Sequence, residues 1–138
     1  MEIAPVEDKF YLINKPKFWT SFDVVNKIRR TIRTKKVGHA GTLDPLATGL
    51  LVLCTGKMTK KIDGIQATEK EYLATISLGK TTPSFDLETA FDSEMDITHL
   101  STTEIESIIK SFIGEQMQLP PMYSALKVDG KRLYHHAR

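Results

Sequence analysis

The chain has little that would support several large classes of function. It contains one cysteine, Cys54, in 138 residues, so it can form no intrachain disulfide and no cysteine-built zinc site. Its longest uninterrupted apolar stretch is Leu50 to Cys54, far short of the roughly 20 residues needed to cross a bilayer. The first residues, Met1-Glu2-Ile3-Ala4-Pro5, lack the basic-then-apolar pattern of a secretory signal. A reducing, cytoplasmic setting follows as the expectation. No GxGxxG is present, and Gly56-Lys57 fails as a phosphate loop because residue 51 is leucine. No histidine pair has helical metal spacing, and no serine lies in a nucleophile elbow. Neither metal nor cofactor is expected.

What is present is the balance of a globular domain, 41% hydrophobic and 26% charged. The formal net charge of +2 conceals a strong asymmetry. Residues 1–61 carry twelve Lys/Arg against five Asp/Glu; residues 62–119 carry three against eleven; residues 120–138 carry four against one. Such a chain can present a basic face to a polyanion while staying near neutral overall. Charge alone leaves that reading and ordinary solvated faces equally open.

Local patterns predict an α+β fold with a mixed, mainly antiparallel sheet and flanking helices. Phe10-Tyr11-Leu12-Ile13 reads as a strand ended by Asn14-Lys15-Pro16. Ser21 is placed as an N-cap, with Asp23 in the first turn and Val24, Val25, Ile28 and Ile32 as a helical stripe to about residue 33. The opposite face carries Lys27, Arg29, Arg30 and Arg33. Leu50 to Cys54 has the length of a buried strand, residues 57–65 read as a short basic helix, and Glu71 to Leu78 alternates as a strand. Ser101 and Glu104 form a capping box, Ile105, Ile108, Ile109 and Phe112 follow at helical spacing, and Gly114 ends the helix. After Pro120-Pro121, Tyr123 to Val128 and Lys131 to Tyr134 read as a hairpin on the two-residue turn Asp129-Gly130.

The stretch from Val37 to Pro45 fits no period and reads as a loop. It holds two glycines, one histidine and a single acid, Asp44, ahead of a buried strand. An Asp-Pro step is often only a turn former. A lone carboxylate on a rigidly held loop is also what a single nucleophile or base requires.

At this loop Gly38-His39-Ala40-Gly41-Thr42-Leu43-Asp44-Pro45-Leu46-Ala47-Thr48-Gly49-Leu50-Leu51 resembles the signature segment of the TruB family of tRNA pseudouridine-55 synthases. Lys15-Pro16 with Thr20-Ser21, Lys70-Glu71-Tyr72, and Gln118 to Lys127 with Gly130 resemble further family segments, in family order. The resemblance implies isomerisation of a uridine in the T loop of tRNA to pseudouridine, with base flipping and without a cofactor. It implies Asp44 as the catalytic carboxylate, acting on ribose C1′, on the base, or on a ribose proton. His39 would help fill the stack vacated by the extruded nucleotides, and Tyr72 would stack on the target uracil. Lys15, Pro16, Gly41 and Thr42 would support the loop. The implied partner is the tRNA T stem-loop, the full-length protein being a monomer.

The chain departs from the family in carrying Phe18 where glycine is usual. The family's arginine that pairs with the aspartate, a second tyrosine, a leucine against the uracil and a C-terminal RNA-binding domain all correspond to positions beyond Arg138. Residues 1–138 are therefore expected to be the N-terminal portion of a pseudouridine synthase catalytic domain, inactive by themselves. A guide-RNA-dependent relative and a non-catalytic RNA-binding module are the competing readings.

Overall fold

A computed structural model describes residues 8–119 and the backbone of residues 127–128 and 131–132. The chain divides into two compact units, Met1–Leu73 and Ala74–Arg138. It is a mixture of helices and small antiparallel sheets.

The first unit is built on three antiparallel strands, β1 (Phe10–Lys15), β2 (Val37–Ala40) and β3 (Gly49–Thr55), in the order β1-β3-β2. The central strand β3 is the expected apolar run. Its register pairs Tyr11 with Leu53, Ile13 with Leu51 and Lys15 with Gly49 on one side, and His39 with Leu53 on the other. Because side chains alternate along a strand, these residues share one pleat face. Helix α1 (Ser21–Thr31) packs Val24 and Val25 against this face, forming a core with Val37, Leu51 and Leu53. Tyr11, Ile13, Ile28 and Leu43 close its edges. Each such aliphatic side chain contributes about 1.5–3 kcal/mol when fully buried, which makes this face the main anchor of the unit.

Four expectations are corrected here. The N-cap of α1 is Thr20, whose hydroxyl accepts from the Asp23 amide while Asp23 bonds back to the Thr20 amide. Ser21 is instead the first helical residue, buried, with its hydroxyl turned to a tertiary task. Val37–Ala40 is a strand rather than loop, because the ladder of β3 supplies partners that local alternation does not reveal. Gly38 fits there because a Cβ would stand 2.7 Å from Ile62 Cδ1. The basic helix is split into a 3-10 turn, Gly56–Lys61, and a short helix α2, Ile62–Gln66. Finally, Glu71 to Leu78 forms no strand: among the described residues it has no ladder neighbour, and alternation alone cannot satisfy backbone donors and acceptors.

Helix α1 ends on Arg33 in the left-handed region, φ 51, with the Thr34 amide donating to the Arg29 carbonyl at 3.1 Å. This is the C-terminal geometry that glycine usually supplies.

In the second unit, β4 (Lys80–Thr81) pairs with β5 (Ser93–Glu94), and Lys80 and Glu94, opposite one another in register, form an ion pair at 2.8 Å. Helix α3 (Thr102–Ser111) has the expected Ser101–Glu104 capping box, and Gly114 beyond its end has φ 98. Strands β6 (Lys127–Val128) and β7 (Lys131–Arg132) pair so that two residues connect them, as the hairpin reading requires. The turn residues Asp129-Gly130, the segment Pro120 to Leu126 and the hairpin's far end lie outside the described residues. Among the described residues no helix is long and apolar enough to cross a membrane.

Candidate active-site loop

The segment between β2 and β3 carries Asp44, and two left-handed glycines bound it. Gly41 has φ 101 and Gly49 has φ 120, conformations in which a side chain is strained whatever the space around it. Between them Asp44 opens a turn closed by its own carbonyl, which accepts from the Ala47 amide at 3.1 Å. Pro45 follows at the position where its fixed φ favours such a turn.

Both residues flanking Asp44 are tied to other elements. On the N-terminal side, the Ser21 hydroxyl accepts from the Leu43 amide at 2.9 Å and donates to the Leu43 carbonyl at 3.2 Å. The Leu43 side chain packs against the core. On the C-terminal side, the Pro45 carbonyl accepts from the Phe18 amide at 2.7 Å and from the Lys15 ammonium at 3.3 Å. Asp44 itself is exposed. The loop thus presents a carboxylate to solvent from a backbone fixed on both sides.

Lys15 is the unusual residue of this arrangement. It is the last residue of β1 and is 0% exposed. Its ammonium donates to the carbonyls of Trp19 at 2.6 Å, Pro16 at 3.1 Å and Pro45 at 3.3 Å. Three acceptors match the three donors of an ammonium, one more than a neutral amine has. Burial pushes its pKa below the usual lysine value, and attraction to Asp44, then to Asp23, pulls it partly back. Lys15 and Pro16 therefore meet the Asp44 loop through one buried cation.

Phe18 occupies the departure noted in the sequence. Its φ is 69, the left-handed region that glycine enters freely and a bulky residue enters at a cost of about 1–2 kcal/mol. This conformation accompanies the amide bond to Pro45.

His39 is half-buried on β2, its Nδ1 in hydrogen-bond contact with the Gly41 carbonyl. A carbonyl only accepts, so the Nδ1 proton is required and Nε2 of the neutral ring is left as acceptor. Gly41 and Thr42 lie on the same loop. Tyr72 is different: the residue is 69% exposed on an irregular stretch, and among the described residues no strand pairing or hydrogen bond ties it to the Asp44 loop. Sequence reasoning missed Ser21 as a loop anchor and Phe18 as a donor. The capping pattern around Thr20-Ser21 concealed the first, and a backbone donor leaves no side-chain signal for the second.

Arg29, grouped above with a basic surface, is half-buried; its Nη2 donates to the Val37 carbonyl at 3.4 Å and its Nη1 to Asn26 at 3.3 Å. It joins α1 to β2, while Lys27, Arg30 and Arg33 remain exposed. The one cysteine, Cys54, is buried on β3, and burial raises its thiol pKa. Among the described residues no group of three or more His, Cys, Asp and Glu is placed to hold a metal ion.

Comparison with known proteins agrees with the family resemblance. The family model described as TruB family pseudouridylate synthase (N terminal domain) matches residues 29–138. Curated relatives named tRNA pseudouridine synthase B include those of Parabacteroides distasonis, 53% identical over 131 residues, and Phocaeicola vulgatus, 52% identical over 138 residues. A third, from Flavobacterium johnsoniae, is 50% identical over 140 aligned positions. These alignments cover 91%, 96% and 96% of this chain but only 56%, 59% and 61% of the relatives, respectively. With its loop, its order of motifs and a match over most of its length, this chain belongs to the TruB family of pseudouridylate synthases.

Proposed function

We propose that this chain contributes the catalytic carboxylate of a tRNA pseudouridine synthase, as the N-terminal portion of its catalytic domain. The substrate is a uridine in the T loop. The observation that carries this reading is the pinning of Asp44: each neighbouring residue, Leu43 and Pro45, is hydrogen-bonded to another element, while the carboxylate faces solvent. Catalysis by a single group depends on holding it in one geometry before the substrate arrives, and loss of that geometry is costly in rate.

In the proposed reaction the target nucleotide leaves its stack and its uracil packs on Tyr72. Base–aromatic stacking is worth about 1–3 kcal/mol, which offsets part of the few kcal/mol spent on extrusion. His39, held by its Nδ1 proton to the loop, fills space left in the RNA. The ionised Asp44 acts as nucleophile or base on the target nucleoside, the N1–C1′ bond breaks, the uracil turns, and C5 joins C1′. C5 then loses its proton to solvent and N1, freed from C1′, takes one up from solvent, so atoms and electrons balance with no redox change and no cofactor. Localisation in the cytoplasm, where tRNA is, follows from this role.

The test is tritium release from [5-3H]uridine-labelled T-loop RNA by the polypeptide as naturally made. Release requiring Asp44 supports the proposal; binding of the RNA without release would leave only an RNA-binding module.

A further inference from the structure

The segment Lys17 to Arg30 carries a second cluster of aromatic and cationic groups that the Asp44 loop does not use. Phe18, Trp19 and Phe22 are 73%, 39% and 58% exposed within five residues. Scattered apolar residues on a surface are ordinary, but three large rings in so short a stretch form a patch. The Lys17 ammonium lies 5.1 Å from the Phe18 ring centre, and the Arg29 guanidinium 6.0 Å from that of Phe22.

Beside these rings is a cleft of about 390 Å3, lined by Phe18, Trp19, Asp23, Asn26, Lys27 and Arg30. That volume falls in the usual range for ligand clefts, roughly 300–1,000 Å3. The last four residues stand at i, i+3, i+4 and i+7, so they share one face of α1. Two aromatic walls thus meet a rim with two cations. Asp23, the one carboxylate, has Oδ2 committed to the Thr20 amide and hydroxyl, which leaves Oδ1 as an acceptor. Asn26 uses its Oδ1 towards Arg29, which leaves its amide donors. Phe18 holds its ring in the open on a left-handed backbone where glycine would carry no strain. The fold gains little burial from that side chain, which is 73% exposed.

We propose that this cleft binds an unpaired nucleotide of single-stranded RNA, distinct from the nucleotide acted on at Asp44. The base stacks on Phe18 and Trp19, Asn26 and Asp23 Oδ1 meet its polar edge or ribose hydroxyls, and Lys27 and Arg30 take a phosphate. Stacking platforms beside a cationic track are how single strands are held without sequence readout. The occupant rests on the RNA-substrate reading, but the site does not contain Asp44.

Trp19 is the only tryptophan of residues 1–138, and the fluorescence lost in a Trp19→Phe variant isolates its signal in a longer polypeptide. In the polypeptide as naturally made, oligouridylate should quench Trp19 saturably, and inorganic polyphosphate, which has charge but no bases, should not. Phe18→Ala should weaken oligouridylate binding about five- to hundredfold. Arg30→Gln, at an exposed position, should make the slope of log affinity against log salt shallower by about 0.7. Asp44→Asn should leave quenching intact. Absent quenching, equal quenching by polyphosphate, or a Trp19 already shielded from iodide by other protein segments would each overturn the inference. Normal pseudouridine formation without quenching defeats this proposal alone, whereas quenching without pseudouridine formation defeats only the proposed function.

Discussion

Lys15 and Pro45 lie thirty residues apart and are joined by a hydrogen bond from a fully buried ammonium to the carbonyl that follows Asp44. A buried cation without water is costly, and here its three donors are met by three backbone carbonyls. The consequence is mechanical as much as electrostatic: the end of β1, the turn through Trp19 and the Asp44 loop share one point. Lys15→Met keeps an unbranched side chain, one atom shorter, and removes the donors. The Pro45 carbonyl keeps the Phe18 amide, while the Trp19 and Pro16 carbonyls lose this donor; an unmet buried acceptor costs about 1–3 kcal/mol, so denaturant unfolding should show a loss of that order. Pseudouridine formation should fall mainly in kcat, because the loop rather than the RNA contact is disturbed. An unchanged unfolding midpoint would show that the loop does not depend on this cation.

Phe18 offers the reverse experiment. Its φ of 69 is strained for any residue with a Cβ, and its ring is largely exposed. Phe18→Gly removes the strain and keeps the amide donor to Pro45. It should raise stability by about 1 kcal/mol. The same change should weaken oligouridylate quenching of Trp19. A loss of stability would mean that the ring contributes packing.

The strands and helices that declared themselves in the sequence are those whose signal is local. The apolar run of β3, the stripe of Val24, Val25 and Ile28, and the reciprocal Ser101–Glu104 cap all depend on neighbours within a turn or two. What failed depended on distant partners. Val37–Ala40 is a strand because Val52 to Thr55 pairs with it, and Glu71 to Leu78 is not one because among the described residues no strand does. In the loop, Asp44 was legible from glycines, proline and resemblance. The anchors were less so: Ser21 has a side chain equally suited to capping, and the Phe18 donor is backbone. Lys15 was named by resemblance, but its burial and three carbonyls are tertiary facts.

Two capping carboxylates set an acid limit. The Thr20 hydroxyl and amide hold Asp23 below the usual carboxylate range, and those of Ser101 do the same for Glu104. A depressed folded pKa means that the contribution is present above the unfolded pKa, about 4, and is lost as pH falls through the folded value. Thermal unfolding followed from pH 6 to roughly pH 2 should therefore show a falling Tm below about pH 4, and Asp23→Asn should reduce its steepness. An identical pH profile for the Asn variant would remove Asp23 from the account.

Tyr72 and His39 should act on RNA more than on the fold. Tyr72 is mostly exposed, so Tyr72→Leu should change Tm little while turnover drops sharply, by about the five- to hundredfold that loss of one base stack allows. His39→Ala should weaken the extruded state by roughly 1 kcal/mol on the same scale. A large fall in Tm for Tyr72→Leu would make it a packing residue instead.

The central claim is that Asp44 performs the chemistry, and Asp44→Asn in the naturally made polypeptide tests it most directly. The side chain is exposed, so the substitution should preserve the fold and tRNA binding. Tritium release from [5-3H]uridine-labelled T-loop RNA, measured with binding on the same preparation, should fall to background while affinity stays within a few fold. Appreciable pseudouridine formation by the Asn variant, free of wild-type enzyme, would contradict the account.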